Sequence, residues 1–202
     1  MNPHSAAILL NPQPCDHIVY PYTDENLVQQ AVGLYASAGI RNGEAVILIM
    51  TSDHCGPIKL QLQMEGCNVA ALERSGLLTC VTTEELLGKF MVDQTLDEDL
   101  FRSTISGLID GARSSNRRPR KVRVFGEMVS QLRGENLTAT TRLEELWNEV
   151  ISQHSVSLLC TYALHHADDY IPDALIDLHS DRIELESNIG PEQLPIGSGQ
   201  PI

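Results

Sequence analysis

The sequence predicts a three-layer α/β domain, in which a mostly parallel central sheet is covered by helices on both faces. Short apolar runs alternate along the chain with amphipathic helical segments, a pattern typical of parallel sheets. The run over 45–50 is apolar throughout, as expected for a strand buried on both faces. The 202 residues suit one domain, which we place at 15–183, between an irregular lead-in over 1–14 and a disordered tail over 184–202.

Local sequence signals predict the individual elements. The predicted strands lie near residues 17–22, 44–51, 77–81, 121–125 and 156–162, with a further short strand or extended segment over 68–72. The predicted helices occupy 24–43, 57–66, the residues after a cap at Thr82 or Thr83, a longer stretch that opens at Asp97, the apolar stripe over 143–151 and a short piece within 171–178.

The junction between the first strand and the first helix lacks a phosphate-binding loop. A P-loop would place G-x-x-x-x-G-K-[ST] here, so that backbone N–H groups and a lysine hold phosphates. Residues 20–26 contain no glycine and no lysine, and they include Asp24 and Glu25. These acids complement the positive end of the helix dipole, and they would repel an incoming phosphate. The residues therefore argue against the use of nucleoside triphosphates.

Composition and charge exclude several other classes of protein. The net charge of -13 disfavours nucleic-acid binding, which depends on neutralisation of phosphates by basic side chains. No apolar run reaches the roughly 18 residues that a membrane span requires, and no secretory signal is evident, so we expect a cytoplasmic protein. The five cysteines are read as free thiols. One basic cluster, over 117–123, is interpreted as a solvated loop, with a docking patch for an acidic partner as the alternative.

In parallel α/β sheets, ligands bind beyond the carboxyl ends of the strands. Applied to the predicted strands, this rule indicates five segments that we expect to surround a binding site: 20–26, 51–55, 82–83, 126–129 and 162–166.

Motifs within and around these segments resemble one known family. They are Asp16-His17, Gly43-Glu44, Arg123-Val124-x-Gly126-Glu127-Met128, Leu143-Glu144, Cys160-x-Tyr162 and a late His179. In order and spacing they resemble the MEDS family, the methanogen/methylotroph, dichloromethane-regulator sensory domain. The resemblance implies a fold similar to the RecA and KaiC ATPase core, and a sensory role upstream of a kinase or DNA-binding module. It also implies a small, hydrocarbon-derived ligand. Because no output module follows in the chain, we expect signalling through a separate partner protein.

Seven residues are candidates for ligand binding, on the strength of their positions and of this resemblance: His17, Tyr20, Tyr22, Glu127, Met128, Cys160 and Tyr162. Strand alternation places Tyr20 and Tyr22 on one face of the sheet and His17 on the other. Glu127 is the strongest candidate because a carboxylate at a strand end can face the pocket. The alternative for Glu127 is a structural acid paired with a nearby arginine such as Arg123. The alternative is ordinary packing in the core for four other candidates: Tyr20, Tyr22, Cys160 and Tyr162.

The sequence indicates no catalytic residue, cofactor or metal. His54-Cys55, Cys160 and His165-His166 lack the spacing of zinc ligands, and no G-x-S-x-G motif of a hydrolase is present. We therefore interpret the chain as a non-catalytic sensory domain. Two alternatives remain open at this point: a divergent nucleotide-binding protein that uses Glu127, and an interaction module without a ligand. A homo-oligomer is compatible with either.

Overall fold

The computed structural model describes residues 1–92, 95–114, 120–133, 137–164 and 169–184. Its main sheet has six parallel strands in the order β3-β2-β6-β7-β1-β8. These strands are β1 (His17–Tyr22), β2 (Ala45–Met50), β3 (Leu78–Thr82), β6 (Val122–Gly126), β7 (Ser157–Ala163) and β8 (Asp181–Arg182). A small antiparallel pair consists of β4 (Met91–Val92) and β5 (Thr95–Leu96).

Helices cover both faces of the sheet, so the predicted three-layer α/β architecture is confirmed. The first face carries α1 (Pro3–Leu10), α2 (Glu25–Arg41), α3 (Ser52–Met64) and α4 (Val69–Arg74). The second face carries α5 (Thr83–Phe90), α6 (Glu98–Ser114), α7 (Met128–Arg133), α8 (Leu137–His154) and α9 (Asp173–Ile176). Each face buries its own apolar core against the sheet. No helix among the described residues is long and apolar enough to cross a bilayer.

Capping residues fix the helices that position the strand ends. Asp24 caps α2 by accepting a hydrogen bond from the backbone N–H of Asn26, and α2 ends before Gly43, whose φ of 75° suits glycine. Thr82 and Glu85 form a capping box at the start of α5, which confirms the predicted cap. The helix expected to start after Pro57 starts at Ser52 instead. Pro57 therefore lies inside α3, beyond its first turn, where proline removes one backbone hydrogen bond of the helix.

Two segments differ from their predicted conformation. The lead-in was expected to be irregular over 1–14, but 3–10 form α1. The Asn2 side chain caps this helix by accepting a hydrogen bond from the backbone N–H of Ser5, and a proline occupies the first helical turn. The segment 68–72 was expected to be extended, but Asn68 caps α4, which starts at the next residue. Most of the predicted tail, 185–202, lies outside the described residues.

The buried side chain of Arg123 forms an ion pair and also joins α1 to the sheet. The Arg123 side chain on β6 is 3% exposed and pairs with Glu44, which precedes β2. Arg123 also donates to the backbone carbonyls of Leu9, Leu10 and Tyr35. The guanidinium therefore has several acceptors, as a buried charge requires. The alternative pairing of Arg123 with Glu127 does not occur.

Candidate functional site

A cleft of about 530 Å³ lies at the carboxyl ends of the central strands. Its lining comes from Tyr22, Glu25, Thr51, Ser52, Asp53, His54, Glu84, Glu127, Ser130, Gln131, Ala163 and Asp169. Four of the five predicted strand-end segments contribute, and Glu84 follows the fifth. The rule that ligands bind beyond the strand ends therefore indicated the segments that line this cleft. His165 and His166 lie outside the described residues.

Glu127 is the central acid of this cleft, and its side chain is only 3% exposed. It follows β6 directly, and its backbone N–H donates to the carbonyl of Ile49, 3.1 Å away. One carboxylate oxygen accepts from the backbone N–H and the hydroxyl of Thr51, at 2.8 and 3.2 Å. The other lies 2.5 Å from Nδ1 of His54. Thus Glu127 connects the end of β6 to the first turn of α3.

His54 bridges two carboxylates. Its Nε2 lies 2.5 Å from Glu25 at the start of α2, while its Nδ1 contacts Glu127. Ionised carboxylates only accept, so both ring nitrogens donate and the imidazole is positively charged. The hydrogen bond to Glu127 raises the pKa of His54 to about 9, against the effect of burial, and Glu25 adds to the rise. The network therefore ties together α2, α3 and the end of β6.

Tyr22 contributes an aromatic wall to the cleft. Burial first, and then the charges of Glu25 and Glu127, raise the pKa of this phenol well above its ordinary value. Tyr22 thus keeps its proton and can donate a hydrogen bond. Tyr20 and Met128, also predicted for the site, do not line the cleft. Tyr20 packs in the core beside α2, and Met128 packs in the core on the opposite face. Their participation in binding stays a prediction.

The remaining predicted residues form a separate group beneath α8. His17, Cys160 and Tyr162 share the sheet face opposite to that of Tyr20 and Tyr22, and for His17 strand alternation predicted this placement. Around them we define the buried cluster as His17, Glu144, Cys160, Tyr162 and His179. The structure thus places Tyr22 and Glu127 in the cleft and His17, Cys160 and Tyr162 in the buried cluster, while Tyr20 and Met128 belong to neither.

Glu144 is the centre of the buried cluster and is fully buried. Its carboxylate lies 3.3 Å from Nε2 of His17 and 3.5 Å from Nε2 of His179, and it accepts a hydrogen bond from the hydroxyl of Tyr162. Burial alone would raise the pKa of Glu144. The two histidines outweigh this effect and hold the pKa well below its ordinary value. Burial and the charge of Glu144 raise the pKa of the neighbouring Cys160 thiol.

Four residues at the centre of the cleft network and the buried cluster were not among the candidates for ligand binding: Glu25, His54, Glu144 and His179. Glu25 and His54 lie within the strand-end segments, so position alone could have selected them. Glu144 and His179 appear among the motifs of the family resemblance, although neither was assigned to a pocket. No spacing signal connects them, because their partners are distant in sequence.

A second depression, of about 770 Å³, lies at the amino ends of the strands, at the end of the sheet opposite to the cleft. It is lined by residues that include Gln13, Glu44, Arg120 and Lys121. Arg120 and Lys121 belong to the predicted basic cluster, of which 117–119 lie outside the described residues. Arg123, also counted in that cluster, lines the depression as well, although its side chain is only 3% exposed and is held in its ion pair.

The fold is a parallel α/β domain with a cleft at the carboxyl ends of its strands. The chain belongs to the methanogen/methylotroph, DcmR sensory domain family, MEDS, whose model matches residues 16–180. This assignment confirms the resemblance and supports a sensory or regulatory role. No curated protein matches the chain significantly.

Proposed function

We propose that the protein is a non-catalytic sensor that binds a small molecule in the strand-end cleft and signals to a separate kinase or transcription regulator. The network of Glu25, His54 and Glu127 carries this proposal. It occupies the floor of the cleft and joins three elements of the fold, so a ligand that disturbs it would move them relative to one another.

The charges of the cleft favour a cationic ligand. Among the described residues that line it, five are acids, and His54 is the only basic side chain. A positively charged group would gain from these carboxylates, whereas an anion would be repelled. A cation–π contact with Tyr22, which lines the cleft, would add to this attraction. A small alkylammonium ion meets both requirements, and it is also a hydrocarbon-derived molecule of the kind that the family resemblance implies.

The signalling mechanism is a population shift. In the unliganded network, His54 on α3 contacts Glu127 at the end of β6 and Glu25 on α2. These two contacts hold α3 in place. A cationic ligand competes with His54 for these carboxylates, so the ligand-bound state favours a different position of α3. A ligand shifts such an equilibrium only by its difference in affinity for the two states. The exposed surface of α3 would then present the change to a partner.

A thermal-shift panel tests ligand binding directly. We would compare alkylammonium ions with alcohols and carboxylates of the same carbon skeleton. A ligand at one hundred times its Kd stabilises the folded protein by about 2.7 kcal/mol, which shifts the Tm measurably. We expect cations to raise the Tm of the wild type but not of Glu127→Gln. Glu65→Gln is the control, because Glu65 pairs with Arg41 at the far end of α3.

Two results would contradict the proposal. One is the absence of any stabilisation by a cation in the wild type. The other is equal stabilisation of the wild type and Glu127→Gln. Native mass spectrometry of the freshly purified protein, compared with its denatured mass, provides an independent check, since a retained ligand appears as added mass that denaturation removes.

Magnesium ATP distinguishes the nucleotide-binding alternative. The acids of the cleft and the lack of a phosphate loop argue against a triphosphate. Saturable stabilisation by magnesium ATP that depends on Glu127 would favour this alternative over the sensor. The third possibility, an interaction module with a pocket filled by its own side chains, is disfavoured by the open volume of the cleft.

A further inference from the structure

Four residues of the buried cluster bring potential metal ligands to one point. Nε2 of His17, a carboxylate oxygen of Glu144, Sγ of Cys160 and a ring nitrogen of His179 all lie within 4.8 Å of one another. The side chains of His17, Glu144 and His179 are at most 2% exposed, and Cys160 is buried. Two imidazoles, a thiol and a carboxylate are the side chains that bind zinc in proteins.

Both histidines are oriented by hydrogen bonds from their outer nitrogen. Nδ1 of His179 lies 2.8 Å from the carbonyl of Leu175, which can only accept, so Nδ1 carries the proton. Nδ1 of His17 lies 3.0 Å from Oδ1 of Asn148, and the amide of Asn148 is fixed because its nitrogen donates to the carbonyl of Leu178. In the neutral imidazoles, each Nε2 therefore points a lone pair into the cluster. Metal-binding histidines are typically held in this way.

When both histidines are neutral, as metal binding requires, the interior of the cluster has more acceptors than donors. The hydroxyl of Tyr162 donates to Glu144, and the thiol of Cys160 lies 3.3 Å from Nε2 of His17. Nε2 of His179 has no hydrogen-bond partner, although the side chain is only 1% exposed and the nitrogen faces Glu144. A buried polar atom without a hydrogen-bond partner costs free energy. A cation between this nitrogen and the carboxylate that it faces would remove that cost.

We propose that His17, Glu144, Cys160 and His179 bind one divalent transition-metal ion of the zinc class. Ligand atoms of a tetrahedral zinc site are about 3.3–3.7 Å apart, given the usual zinc–ligand distances. Here Nε2 of His17 lies 3.3 Å from Sγ of Cys160 and 3.3 Å from Oε2 of Glu144, while Nε2 of His179 lies 3.5 Å from the other Glu144 oxygen, Oε1. Cys160 to Glu144, at 3.9 Å, is slightly longer.

Charge balance supports this assignment. Binding converts the Cys160 thiol to a thiolate, and its proton is released to solvent. The thiolate and the Glu144 carboxylate together carry two negative charges, which a divalent ion neutralises. Because the site is closed to solvent, a neutral assembly avoids the cost of an uncompensated buried charge. The set of two nitrogens, one sulfur and one oxygen suits zinc or cobalt better than magnesium or calcium, which prefer oxygen alone.

This inference departs from the expectation of no metal, and the sequence could not have supplied it. Zinc sites are read from closely spaced Cys and His pairs, but these ligands come from β1, α8, β7 and the turn after α9. His54, weighed with Cys160 as a zinc ligand, instead lies in the strand-end cleft. The site is independent of the sensory proposal, because it lies beneath α8 and shares no residue with the cleft lining.

Cobalt substitution tests the site. The purified full chain would be stripped of metal with a chelator and titrated with Co²⁺. We expect one Co²⁺ per chain, visible absorption of the strength that tetrahedral cobalt gives, and a sulfur-to-cobalt charge-transfer band in the near ultraviolet. Cys160→Ser should abolish the charge-transfer band, and His179→Ala should weaken Co²⁺ binding at least tenfold. Cys15→Ser, which removes an exposed cysteine, is the matched control and should change neither.

Three outcomes would overturn the inference: no tetrahedral spectrum in the wild type, a spectrum unaffected by both cluster variants, or loss of the band in Cys15→Ser. The first outcome would mean that a proton, rather than a metal ion, occupies the space between the histidines and Glu144. Because Cys160→Ser could fail to fold, circular dichroism is recorded for each variant. His179→Ala provides the second readout, since His179 lies in a turn outside the sheet and its loss leaves β7 intact.

Discussion

Replacement of His54 by glutamine should change how the stability of the protein depends on pH. His54 is held between Glu127 and Glu25, and its folded pKa is about 9, above the ordinary value of 6.5. A group whose pKa rises on folding stabilises the folded state fully below its unfolded pKa. That contribution disappears as the pH rises through the folded pKa. The contribution of His54 should therefore be complete below about pH 6.5 and lost near pH 9.

The magnitude follows from the two pKa values and from the exposure of the partners. The difference between about 6.5 and about 9 sets an upper limit of roughly 3 kcal/mol. Glu127 is buried, but Glu25 is 45% exposed, so water and salt screen its share of the interaction. After this discount, we expect about 1–2 kcal/mol to be lost between neutral and alkaline pH.

Urea unfolding at a series of pH values from 6 to 10 measures this effect. The relevant quantity is the free energy of unfolding of the wild type minus that of His54→Gln, since other titrating groups cancel in the difference. It should fall by about 1–2 kcal/mol as the pH rises through this range. His4→Gln is the control, because His4 is exposed on α1, and its difference should stay flat. A flat or rising difference for His54→Gln would refute the charged bridge.

Four further substitutions, one of them a control, test the packing and helix capping around the sheet. Arg123→Met should cost about 1–3 kcal/mol in urea unfolding, because it removes the partner of the partly exposed Glu44 and the donor to three backbone carbonyls; a cost below about 0.5 kcal/mol would contradict these pairings. Gly39→Ala should destabilise by about 1–3 kcal/mol, since a Cβ there would lie 2.8 Å from Cδ of Arg123. Gly111→Ala, on an open helix face, should stabilise by about 0.4–1 kcal/mol and serves as its control. Thr82→Ala should cost about 1 kcal/mol through loss of the capping box at α5; unchanged stability would show that the cap is dispensable.

The main strands of the sheet were predictable because local sequence patterns mark them. The apolar run of β2 and the alternation of β1 depend only on neighbouring residues, and the rule for strand ends then located the cleft. α1 was missed because Asn2 and Pro3 were read as irregular, although together they start a helix. β8 was missed because two residues carry no pattern, and their pairing with β1 depends on tertiary contact.

The chemistry of the two sites was less predictable, for a different reason. His54 and Glu127 are 73 residues apart, and His17 and Cys160 are 143 apart. Pairings at this range depend on strand order, which the sequence does not specify. Glu127 was singled out because its position after a strand is a local signal. Its partner His54 was visible only as a histidine near another strand end.

β7 physically connects the strand-end cleft with the buried cluster. Cys160 and Tyr162 belong to the cluster, and the next residue, Ala163, lines the cleft. At about 3.3 Å per residue, Cys160 and Ala163 are about 10 Å apart along one rigid strand. If both sites are occupied, any displacement of β7 by one occupant alters the affinity for the other, and thermodynamic reciprocity makes the two effects equal. The strand would then report on metal supply and on ligand at the same time, so the response to one chemical would be conditional on the other.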